Sequence, residues 1–96
     1  MTIPLRTLIV EDSDDDTELL VRELRRAGYQ PTFQRVETAE SLNAALDQNS
    51  WDVVISDYTM PQLSGLEALK LVRRRGNDIP FIILSGSIGE EIAVGA

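Results

Sequence analysis

Short apolar runs alternate along this chain with longer stretches in which apolar residues recur every three or four positions. Thr7-Leu8-Ile9-Val10, Asp52-Val53-Val54-Ile55-Ser56 and Phe81-Ile82-Ile83-Leu84 have strand length and are rich in β-branched residues. Thr32 to Val36 alternates weakly and reads as an edge-like strand. Helical patterns lie between the runs. Leu19, Leu20, Leu24 and Ala27 mark the first, and Gly28 stops it. Thr38 is placed to cap the second, which carries Ala39, Leu42, Ala45 and Leu46 on one face. The third passes through Leu66, Leu69 and Val72 and ends at Arg73-Arg74-Arg75-Gly76, where cations suit the negative end of the helix dipole. Ile88 to Val94 predicts the start of a fourth helix.

Strands and helices thus alternate strictly, which predicts an α/β fold with a parallel sheet covered by helices on both faces. Apolar runs without in-out alternation fit strands buried on both faces. In open sheets of this kind ligands sit beyond the carboxyl ends of the strands, where the strand order reverses. The loops in that position contain Glu11-Asp12, Asp57 and Ser85.

Composition narrows the chemistry. A chain of 96 residues with 43% hydrophobic content makes one small globular domain. There is no cysteine and no histidine, which excludes disulfides, thiol catalysis, serine-histidine triads and histidine-ligated metals. No apolar run is long enough to span a membrane. The net charge is −7, and this argues against binding a nucleic-acid backbone. The remaining tools are carboxylates, hydroxyls and hard metals. Glu11, Asp12 and Asp57 converge on one pocket when the first and third strands are neighbours. Clustered carboxylates call for a hard cation, and Mg²⁺ is the natural one. A carboxylate beside it can act as a nucleophile toward phosphorus, and Ser85 offers a hydroxyl to the product.

Taken singly, Asp12 or Asp57 suits a cap or turn, and Asp14, Asp15, Asp16 and Glu18 suit a helix N-terminus. Four oxygen-bearing residues at three strand ends are not required by structure alone. An EF-hand over Asp12, Asp14, Asp16 and Glu23 fails because Thr17 stands where the loop needs glycine. A haloacid-dehalogenase-type phosphatase fails because Thr59, not a second aspartate, lies two residues after Asp57.

Leu8-Ile9-Val10-Glu11-Asp12-Ser13, then Asp57-Tyr58-Thr59-Met60-Pro61 with Gly65, then Ile82-Ile83-Leu84-Ser85-Gly86 resemble the receiver domain of two-component response regulators. The resemblance spans residues 1–96 and implies a flavodoxin-like, doubly wound parallel sheet. It implies a phosphoacceptor signalling domain rather than an enzyme acting on an external substrate. Asp57 takes the phosphoryl group from a phosphohistidine of a sensor histidine kinase or a histidine phosphotransfer domain. Mg²⁺ is held by Asp12, Asp57 and the backbone carbonyl of Thr59, with Glu11 acting mainly through water. Ser85 is the hydroxyl switch. A cytoplasmic location follows from the same resemblance. The alternative is a receiver-like interaction module that is not phosphorylated.

Family members carry a fifth strand and helix, including a lysine that contacts the phosphoryl group. Relative to them this domain is expected to be incomplete at its C-terminus, with four strands in the order 2-1-3-4. Lys70, the one lysine, lies in the third helix and is no substitute. The fourth strand is then an open edge, through which a homodimer is expected to form.

Overall fold

The computed structural model describes residues 2–57, 63–76, 78–84 and 92–95. Its elements are β1 (Ile3–Val10), α1 (Asp14–Arg26), β2 (Tyr29–Val36), α2 (Ala39–Gln48), β3 (Val53–Asp57), α3 (Gly65–Arg74), β4 (Phe81–Leu84) and β5 (Ile92–Gly95). The first four strands are parallel and stand in the expected order β2-β1-β3-β4. The chain leaves β1 toward β2 on one side and returns to β3 on the other, so the order reverses at β1.

The expected fourth helix is not formed over its last residues. Ile92–Gly95 is instead a strand, antiparallel to β4, with Ile82 opposite Val94 and Leu84 opposite Ile92. Val94 is β-branched and Gly95 disfavours helix, so local propensity is weak there. The open N–H and C=O groups of β4 supply the partner. The β4 edge is thus covered by β5, and the sheet's terminal strands are β5 and β2. β2 carries Pro31 in mid-strand, where an edge tolerates the missing N–H.

The core lies under β1, β3 and β4. Leu8, Val10, Val54, Phe81 and Ile83 pack with Val36, Leu42, Ala45, Ala68 and Val72. Two helix faces differ from their sequence reading. α1 buries Thr17 and Val21 and half-buries Leu20 and Leu24, while Leu19 is exposed. α3 buries Gly65, Ala68 and Val72, a stripe of small residues that lets the helix approach the sheet closely. Leu66 is one residue off that stripe, which turns it about 100° toward solvent.

Helix ends follow the sequence signals. Gly28 adopts φ +99 after α1 and Gly76 adopts φ +76 after α3, backbone that L-residues rarely take. α2 opens with a reciprocal box. The Ser41 N–H donates to Thr38 Oγ1 at 3.0 Å, and the Thr38 N–H donates to Ser41 Oγ at 3.1 Å. Thr38→Ala leaves the Ser41 N–H without its acceptor and is expected to cost about 1 kcal/mol. The check is a urea titration, in which the midpoint falls and the slope stays constant.

Candidate functional site

The site forms where β1 and β3 end side by side. Val10 pairs with Ser56, so the next residues, Glu11 and Asp57, leave the sheet as neighbours. Asp57 is the last residue of β3 and lies opposite Leu84 of β4. Asp12 follows Glu11 in the turn into α1. Each of Glu11, Asp12 and Asp57 presents an oxygen, and these atoms all lie within 4.8 Å of one another. Glu11 is buried, Asp57 half-buried and Asp12 exposed, so the group opens to solvent on one side. Three of the five residues named from sequence are thereby brought together. Thr59 and Ser85 lie outside the described residues.

Backbone N–H groups of the turn are satisfied by β2 and by nearby side chains. The Glu11 N–H donates to the Val36 carbonyl at 3.0 Å, tying β1 to β2. Glu11 Oε1 accepts from the N–H of Asp12 at 2.9 Å and from that of Ser13 at 3.2 Å. Ser13 caps α1 through its hydroxyl, which accepts from the Asp16 N–H at 3.2 Å. The capping role considered for Asp12 thus falls to Ser13, which frees the Asp12 carboxylate for other work. Asp14, Asp15 and Asp16 occupy the first turn of α1, as their helix-terminal reading predicts.

Two residues near the site carry no sequence motif. Ser56 is fully buried, and its hydroxyl donates to the Asp57 carbonyl at 2.9 Å. Arg35 donates to the Glu11 carbonyl at 3.1 Å. The signal for Arg35 is topological: it is a cation one residue before the end of β2, and β2 becomes the neighbour of β1 only once the order is known.

Burial pushes the Glu11 carboxyl up to about 7, aided by a hydrogen bond with the Asp12 side chain and by the charge of Asp57. The Asp12 and Ser13 N–H groups pull the other way without winning. An unfolded chain releases this proton near 4.5. Between these values the folded state holds more protons than the unfolded one, so Glu11 makes stability fall as pH rises through that window. The effect is absent below the window and complete above it. In chelator-treated protein, Glu11→Gln is expected to become progressively more stable relative to the parent from pH 4.5 to 7. A pH series of urea midpoints for both proteins tests this, and parallel curves would contradict it.

Carboxylates gathered this closely repel one another, and a hard divalent cation relieves the repulsion. The donor set is all oxygen, which suits a hard cation such as Mg²⁺ better than zinc or copper.

Residues 7–96 match the family model for the response regulator receiver domain. The chain belongs to this receiver-domain family. It is 36% identical to the response regulator MprA of Mycobacterium sp. (strain KMS), over 95% of this chain and 40% of that protein. It is 32% identical to the chemotaxis protein CheY1 of Helicobacter pylori (strain J99), over 90% of this chain and 71% of that protein. Among solved structures, the response regulator TrrA of Thermotoga maritima, in complex with Mg²⁺ and BeF, is similar at a TM-score of 0.71 with 32% identity. That match covers 91% of this chain and 71% of the other. The chain spans about 40% of the length of the first curated relatives it matches. Membership gives the receiver domain a phosphoacceptor signalling role, with the acidic group at the strand ends in the place such chemistry needs. Among the described residues no helix is long and apolar enough to cross a membrane.

Proposed function

We propose that Asp57 is the phosphoacceptor and that Glu11, Asp12 and Asp57 hold the Mg²⁺ on which the transfer depends. The observation that carries this reading is the meeting of three carboxylates within 4.8 Å at the point where strand order reverses. A carboxylate oxygen of Asp57 attacks phosphorus, a P–O bond forms, and the P–N bond to the donor imidazole breaks. The nitrogen keeps the bonding pair and is protonated. Bound Mg²⁺ supplies charge neutralisation, which matters more to phosphoryl transfer than covalent help. The half-exposed position of Asp57 leaves the acceptor open to a donor domain. The Thr59 carbonyl completes the metal set and the Ser85 hydroxyl hydrogen-bonds the transferred group in this proposal.

The donor is a sensor histidine kinase or a histidine phosphotransfer domain, and the domain works in the cytoplasm with it. The domain transforms no external substrate. The acyl phosphate carries nearly two negative charges where the carboxylate carried one, and its strong acceptors can bias a two-state surface toward a protein partner.

Intact mass after incubation with Mg²⁺ and a small acyl-phosphate donor tests the reading. One phosphoryl adduct is expected on the wild type, none after chelation of the metal and none on Asp57→Asn. No adduct on a folded wild type would overturn it and leave a receiver-like interaction module.

A further inference from the structure

Arg35 makes three polar contacts that no motif predicts. Its Nε lies 2.8 Å from Asp14 Oδ1. Its Nη1 lies 3.2 Å from Glu37 Oε1 and donates to the Glu11 carbonyl at 3.1 Å. One planar fork therefore holds both ends of the segment from Glu11 to Asp14. The two residues between those ends are Asp12, a proposed metal ligand, and Ser13, the cap of α1. Glu37 braces the fork from the chain that follows β2. The Arg35 side chain is only 28% exposed, whereas Asp14 is 86% exposed. The fork thus sits against the turn and its partner faces water.

We propose that Arg35 is a positioning residue for the Mg²⁺ site: it fixes the turn that presents the Asp12 carboxylate. This inference rests on the proposed metal role of Glu11, Asp12 and Asp57. Two physical effects compete when Arg35 is changed. Arg35 is faced by Asp14 and Glu37, so removing its charge leaves two acids uncompensated and makes the region more negative. That effect tightens cation binding. Loss of the fork lets the turn sample other shapes, and that effect weakens binding. Geometry wins here because Mg²⁺ demands near-ideal placement of its ligands. Groups that orient metal ligands typically contribute about 10–100-fold in affinity.

The test is Mg²⁺ affinity by calorimetric titration of the wild type, Arg35→Lys, Arg35→Gln and Arg75→Gln, with thermal unfolding in chelator to establish folding. Lysine keeps the charge but replaces the fork with a single ammonium. Both Arg35 variants are expected to bind Mg²⁺ about tenfold more weakly than the wild type. Arg75 pairs with Asp47 between α3 and α2, so its loss also removes a cation and an ion pair but is expected to leave the affinity unchanged. Either Arg35 variant binding as tightly as the wild type, or tighter, overturns the inference while leaving the metal site standing. Arg35→Lys alone decides the matter if Arg35→Gln does not fold. A wild type that binds no Mg²⁺ removes the metal site and this inference with it.

Discussion

Asp57→Asn is expected to abolish phosphoryl uptake and, in metal-free protein, to raise the melting temperature. The first effect follows from the nucleophile. An amide nitrogen shares its lone pair with the carbonyl and has no carboxylate oxygen to form an acyl phosphate, so the loss is complete rather than partial. The second follows from the charges around it. Asp57 presents an oxygen within 4.8 Å of those of Glu11 and Asp12. Its charge also helps to push the Glu11 carboxyl upward. Two unit charges about 4 Å apart repel by about 1 kcal/mol in water and more as burial increases. The group opens to solvent at Asp12, so the lower figure applies. About 1 kcal/mol corresponds to about 4–8 °C in a domain of this size. Saturating Mg²⁺ is expected to narrow or invert the difference, because the metal stabilises only the protein that binds it. Scanning calorimetry of both proteins, in chelator and in Mg²⁺, measures all four values. Equal melting temperatures in chelator would mean that the three carboxylates do not burden the fold.

The acidic half of the site is legible in the sequence. Glu11, Asp12 and Asp57 follow apolar runs directly, and a strand that ends in an acid is visible without knowing the neighbours of that strand. Their convergence needed only the order of β1 and β3. Arg35 was not legible in this way. It belongs to a weakly alternating edge strand, and its partners Glu11 and Asp14 lie 24 and 21 residues away in sequence. The Ser13 cap is hard to see in the sequence because acids crowd both sides of it. Leu19 and Leu66 fit a helical apolar spacing yet face solvent, because large apolar residues do not all point inward. α3 instead turns Gly65 and Ala68 toward the sheet. Ile92–Gly95 is a strand where the sequence predicts helix, because its residues carry only a weak local preference. Its pairing with β4 is a tertiary effect, supplied by an edge that needs hydrogen bonds.

That edge also makes β4 the place where one substitution should cost most. Phe81→Ala is expected to destabilise the domain by about 3–5 kcal/mol. Phe81 is fully buried and is the largest such side chain among the described residues. It sits opposite Val54 on β3 and Gly95 on β5, so the void cannot be filled by one neighbour alone. A small domain has about 5–15 kcal/mol in all, so this loss takes a large share of the margin. β4 has only four residues, and its pairing holds Leu84 beside Asp57. A loosened β4 therefore disturbs Asp57, the proposed acceptor. Ile82, on the opposite face of the same strand, is half-buried, and Ile82→Ala is expected to cost distinctly less. Urea unfolding of the two variants separates a packing effect from a general weakness of the strand. Similar losses in both would show that packing on the two faces of β4 contributes equally, and a much larger loss in Phe81→Ala would show that the buried ring carries most of it. In either case Mg²⁺ should recover part of the lost stability if it binds the folded state at the proposed site, because a ligand of the folded state alone shifts the equilibrium toward it.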